Sequence, residues 1–280
     1  MRRAPRFALL LLCSLALAQL LDAQLPFYTD DPAVTDAGKW HFEFFNELDA
    51  LQHPQYPNLR QNTANYKLNY GLPYHLELDL DAPYLAILRA VGTPNSTGVG
   101  DTDMGIKWEF HQESKTSHLP ALGASLYIEF PTGDSHNQLG SGLTDYWLNL
   151  IAQKSITDKT RANVNLGYLF AGNTSTGVIG IQQARGHVYT GGISLLHDFT
   201  PRLTLGAEIY GGYTDNIGLG RRQFQVLAGG TYEIRHGFAL SLGLLGGKYE
   251  ASPRIGAQIG FAVDFPDVIR PSEPPAASIH

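Results

Sequence analysis

The chain has a single cysteine, Cys13, so no intramolecular disulfide and no multi-cysteine metal or redox centre can form. It also lacks long apolar runs. After its first residues no stretch approaches the roughly 20 consecutive apolar residues of a membrane-spanning helix, and hydrophobic residues are an ordinary 43% of the total. Positive charge is scarce as well. Twenty Lys and Arg stand against 26 Asp and Glu, a net charge of −6 that argues against nucleic acid as a partner. If this protein enters a membrane, it does so as a closed barrel, the only other structure that satisfies its backbone in hydrocarbon.

What is present begins with an export signal. Met1-Arg2-Arg3-Ala4-Pro5-Arg6 is basic, and the apolar run that follows, residues 7–18, is too short to span a bilayer as a mature helix. Ala16 and Ala18 allow cleavage before Gln19. Ala23 allows it before Gln24, the preferred cut, because a strand-poor stretch starts there. Leu12 precedes Cys13 where a lipid-modified cysteine needs a small residue, which argues against lipidation. Removing residues 1–23 takes away three arginines and Asp22 and moves the net charge to −8.

The mature chain alternates. Leu76, Leu78, Leu80 and Ala82 lie on one face of a strand, with His75, Glu77, Asp79 and Asp81 on the other. Thr102, Met104, Ile106, Trp108 and Phe110 oppose Asp103, Gly105, Lys107, Glu109 and His111, and the same period marks Trp40, Phe42 and Phe44 until Phe45 breaks it. The last such run, residues 255–265, carries only aliphatic and aromatic groups on its apolar side. Counting all runs gives about twelve strands. Connections alternate too: residues 71–73, 157–160, 200–202 and 235–237 are short, whereas 52–60, 83–100, 131–142 and 171–186 are long and rich in Gly, Pro, Ser, Thr and Asn. Residues 111–120 are the exception on the short side.

The expected fold is therefore all-β, a transmembrane antiparallel up-and-down β-barrel of about 12 strands with short periplasmic turns and longer extracellular loops. The layout is a signal peptide (1–23), an N-terminal periplasmic linker (24–38), the barrel (39–265) and a flexible C-terminal tail (266–280). Glycines on the inward row, such as Gly105 and Gly260, suit the crowded concave side of a curved sheet. Alternation alone also permits a soluble β-sandwich or a large lipocalin-like barrel. Aromatic residues toward strand ends, among them Trp40, Tyr70, Trp108, Tyr168, Tyr189, Tyr213 and Phe265, favour interfacial girdles instead.

Several motifs carry a family likeness. Gln258-x-Gly260-x-x-Val263-x-Phe265 has the form of a closing strand of bacterial outer-membrane barrels. Gly98-Val99-Gly100-Asp101 with Gly105-x-Lys107, Phe130-Pro131-Thr132-Gly133-Asp134, Gly140-Ser141-Gly142 and Gly167-Tyr168 resemble the outer-membrane family named for the meta-pathway of phenol degradation. The likeness covers most of the mature chain. It implies a bacterial outer-membrane barrel that passes small organic compounds, and it brings no assigned binding residues with it.

If the apolar rows face lipid, the lumen is lined by Glu43, Lys67, Glu77, Asp79, Asp81, Asp103, Lys107, Glu109, Glu129, Glu208 and Glu233. Acids outnumber bases, and a wet pore of that kind favours cations or neutral solutes. The alternative is a barrel whose charged side chains pair and fill it. Glu77, Asp79 and Asp81 suggest a divalent cation, but side chains two apart on a strand are about 7 Å apart and cannot close on one ion alone. Ser135-His136-Asn137 invites comparison with a serine hydrolase, yet it reads well as turn chemistry. The expectation is thus a passive channel or facilitator for small solutes, aromatic or hydrophobic ones among them, with no reaction, no cofactor and no metal. The rival is a structural or surface-binding barrel. Expected partners are outer-membrane lipid, the barrel-assembly machinery during biogenesis and the small-molecule solutes themselves.

Overall fold

In a computed structural model, residues 25–52, 60–89, 94–114, 118–172 and 184–265 are described. The signal sequence and the tail lie outside them. Thirteen strands form one antiparallel sheet: β1 (Trp40–Ala50), β2 (Arg60–Leu72), β3 (Leu76–Leu88), β4 (Ser96–Val99), β5 (Thr102–His111), β6 (Ala121–Phe130), β7 (Asp145–Thr157), β8 (Thr160–Ala171), β9 (Gly186–Thr200), β10 (Leu203–Tyr213), β11 (Arg222–Arg235), β12 (Phe238–Lys248) and β13 (Ile255–Phe265). Except at β4 and β5, each pairs with its sequence neighbours, and β13 pairs with β1 from Trp40↔Phe265 to Ala50↔Ile255, which closes the ring. β4 and β5 both pair with β3 and form one stave interrupted at Gly100 and Asp101, so the barrel has twelve staves. A closed ring has no edge strand left to pair with other chains.

The period of two sorts the side chains. Leu78, Leu80, Ile106, Trp108, Leu148, Leu166, Ile193, Leu242, Leu244 and Ile259 are all exposed on the outer surface, while their strand neighbours are buried inside. A largely apolar outer band over a polar interior is the inverse of a soluble protein and matches a hydrocarbon surround. Rings gather toward the ends of the staves as expected, with Trp40 against Tyr70 (4.5 Å between centroids) and Tyr168 against Tyr189 (5.6 Å). Phe45, which broke the pattern, sits on the inward row between Glu43 and Glu47. The outward polar pair Asn46 and Asn62 exchanges amide hydrogen bonds at 2.8 and 3.1 Å, so neither faces the outer surface unsatisfied.

Two boundaries differ from the sequence reading. The supposed loop at 83–100 is mostly strand: β3 runs on to Leu88, and Ser96–Val99 pairs back against Tyr84–Ile87. Pro83 is tolerated because it lies beside the interruption between β4 and β5, where its carbonyl accepts the Gly100 amide (2.8 Å). The larger correction concerns residues 24–38, expected to be a periplasmic linker. Over its described part this stretch runs inside the barrel: Leu25, Pro26, Phe27, Thr29 and Pro32 are buried, and the chain leaves the lumen only where Gly38 donates its amide to the Gly71 carbonyl (2.8 Å) and β1 begins.

Candidate functional site: the lumen and its N-terminal segment

The inward rows hold the N-terminal segment through a small set of directed contacts. Glu208 on β10 accepts the backbone amides of Tyr28 (3.2 Å) and Thr29. Glu47 on β1 accepts the Tyr28 hydroxyl (2.6 Å) and the Gln258 amide (3.0 Å). Lys107 on β5 reaches Asp30 at 2.8 Å, and Glu77 on β3 accepts the Thr35 amide at 2.6 Å. Charge-assisted bonds of this kind are roughly twice as strong as neutral ones. The apolar side of the segment is matched too: Phe27 packs on Leu196, Leu227 and Leu245, three inward leucines of β9, β11 and β12.

Glycine makes room for the segment and for inward rings. A Cβ on Gly71 would stand 2.1 Å from the Asp36 carbonyl oxygen and 2.2 Å from that of Thr35. Tyr127 lies across Gly105, its partner in register, and donates its hydroxyl to Asp79 (2.7 Å).

Most residues expected to line the lumen are on the inward rows. Glu43, Glu77, Asp79, Lys107 and Glu208 are buried, and Lys67 lies in register between Glu43 and Asp81. Asp81 accepts the Asn65 amide (2.9 Å). Asp81, Asp103, Glu129 and Asp145 stand side by side in register across β3, β5, β6 and β7. Glu109 and Glu233 point inward only at the short-turn rim, beside His75 (3.7 Å) and His236 (3.8 Å) of the adjoining turns. Glu77, Asp79 and Asp81 go to separate partners. No group of three or more His, Cys, Asp or Glu is arranged to hold a metal ion among the described residues.

At the long-loop end, two carboxylates tie loops down over the mouth. Asp101 accepts the amides of Gly133 (2.9 Å) and Ser141 (2.6 Å), and Leu139 of the same loop tucks against Leu85 and Ile87. Asp145 accepts the Gly172 amide (2.6 Å) and pairs with Arg185 (2.7 Å), whose guanidinium lies over Phe170. Ser135, His136 and Asn137 form a single 3₁₀ turn. Asp134 caps it: bonds from the Asn137 side chain and from the amides of Asn137 and His136 hold its carboxyl below the usual value.

Glu47, Asp101, Asp145, Arg185 and the segment itself were outside the set of residues proposed from sequence. The available signal was leucine at inward positions 196, 227 and 245, where the alternation calls for polar groups.

Comparison with known proteins agrees with this architecture. A family model described as "Putative MetA-pathway of phenol degradation" matches residues 39–265. Among solved structures, an outer membrane channel from Pseudomonas putida F1 superposes with a TM-score of 0.66 at 16% identity, covering 84% of this chain and 98% of that one. The NanC porin superposes at 0.53 with 9% identity, covering 80% and 100%. The KdgM porin in complex with disordered oligogalacturonate superposes at 0.51 with 11% identity, covering 81% and 99%. At these identities the likeness is one of fold. No curated protein matches the chain in sequence.

Proposed function

The chain belongs to the MetA-pathway family of phenol degradation, and from there we propose that it is a passive outer-membrane channel or facilitator for small solutes, gated by its own N-terminal segment. The supporting observation is that this segment occupies the lumen through reversible contacts to Glu47, Glu77, Lys107 and Glu208 rather than through a continuous hydrophobic core. A path opens when those few bonds exchange for water. The lumen has two characters: most of its carboxylates on β1 to β7, and on β9 to β12 an apolar strip of Leu196, Leu227 and Leu245 beside the single buried carboxylate Glu208. Such a passage suits small solutes with an apolar or aromatic body and disfavours anions.

Purified protein in planar bilayers tests this through its reversal potential in a potassium chloride gradient, with swelling of liposomes in small aromatic solutes as the second readout. Cation-favouring conductance and uptake of the aromatic solutes are expected. Silence in both assays, with the segment in place and with it deleted, contradicts the proposal. A second reading, a structural or surface-binding barrel, draws on the same filled lumen. It predicts that loop deletion abolishes function and leaves permeability unchanged.

A further inference from the structure

We infer that the long-loop rim of β10 to β2 is a docking site for a phosphate-bearing glycolipid of the outer leaflet. The inference rests on the outer-membrane reading, with the long loops outside.

Arg222 and Lys248 lie at the long-loop ends of the neighbouring strands β11 and β12, on the outward row, directly beyond the exposed apolar residues Phe224, Val226 and Leu244. Both cations sit over one ring, Tyr249, at 5.8 and 5.6 Å from its centroid. Arg221 precedes Arg222, Arg254 donates its backbone amide to the Ala50 carbonyl (2.8 Å), and Ala50 faces Arg60 in register, so exposed basic residues continue around the rim onto β2. Asp215 and Glu250 in the flanking loops form no ion pair with these cations among the described residues. At the opposite rim Lys39, Lys154 and Arg161 are paired with Asp36, Glu113 and Asp198, while Arg202 and Arg235 form no ion pair among the described residues; what sets the β11–β12 pair apart is that two cations share one ring, whereas Arg235 alone lies over Phe238 (6.0 Å).

Gathering cations without counter-charges costs free energy, and so does the backbone here. Arg221 (φ 53°) and Tyr249 (φ 78°) both adopt left-handed conformations without being glycine. The two charges share an aromatic platform that holds them in place and leaves their outer sides open to an anion. Just above the apolar band, the anion at that depth is a lipid headgroup phosphate, which arginine recognises with two parallel hydrogen bonds. The acyl chains of such a lipid would lie along Phe224, Val226, Leu244 and Ile255. The shape and charge of the site are then used together.

The test is native mass spectrometry of the full processed protein in detergent, titrated with bisphosphorylated hexa-acyl lipid A. Wild type should bind one lipid, and the double variant R222Q/K248Q should bind about 25-fold more weakly, from about fivefold for each charge removed near a lipid surface. Lipid A stripped of phosphates should bind wild type no better than the intact lipid binds the variant. Heat-dependent gel mobility checks folding. Should the double variant not fold, Y249L serves, with an expected loss of about two- to fivefold. Unchanged binding by a folded variant, equal binding of phosphate-free lipid, or displacement by equimolar phosphatidylglycerol or by millimolar inorganic phosphate would overturn the inference. Failure of the channel reading shows separately, as absent conductance with lipid binding intact.

Discussion

At the residue scale, two positions decide whether the N-terminal segment stays in the lumen. Gly71 is the tighter case: the atoms a Cβ would strike are backbone carbonyl oxygens of Thr35 and Asp36, which cannot rotate away. Gly71→Ala should leave the barrel assembled and detach residues 35–37. Hydrogen exchange at the Gly38 amide reads this directly, and protection equal to wild type would refute it. Lys107 is the second case. Its ammonium and the Asp30 carboxylate are both largely buried, 6% and 13% exposed, so removing either partner strands the other. Lys107→Met should cost about 3 kcal/mol or more in unfolding free energy, and Asp30→Asn in the same chain should recover much of that loss. Strict additivity of the two substitutions would show that the pair is not coupled.

At the element scale, the strands were legible because a residue every second position had to be apolar. Leu76, Leu78 and Leu80 against Glu77 and Asp79 left no other reading, and the short turns followed from the same pattern. Pro83 hid the rest of β3, since its missing donor usually ends a central strand; only the neighbouring interruption at Gly100, a tertiary feature, makes it harmless. The mouth loops were legible as loops and not as lids. Their closure depends on Asp101 and Asp145, which reach amides 32 to 40 and 27 residues away. Asp101→Ala should therefore release the loop at 131–144 and leave the staves intact. Two charge-assisted bonds of about 1.5–3 kcal/mol each are lost, so exchange at Gly133 and Ser141 should accelerate strongly. Unaltered exchange at both would mean that Leu139 against Leu85 and Ile87 suffices to hold it.

At the scale of the whole molecule, closure, stave number and the polar inward row could be read from the chain, and the occupant of the lumen could not. Residues 25–36 carry no periodicity, and their partners lie as far away as Glu208 and Leu245. A linker and a plug of this composition look alike until those partners are placed. The segment also changes how the inward carboxylates are read: Glu47, Glu77 and Glu208 are its docking points. The most direct test is single-channel conductance in planar bilayers of the processed protein and of a variant lacking residues 25–36, each verified as folded. The deletion should raise conductance severalfold and keep the preference for cations. Equal conductance in the two proteins, or a barrel that no longer assembles without the segment, would contradict a removable plug in a water-lined passage.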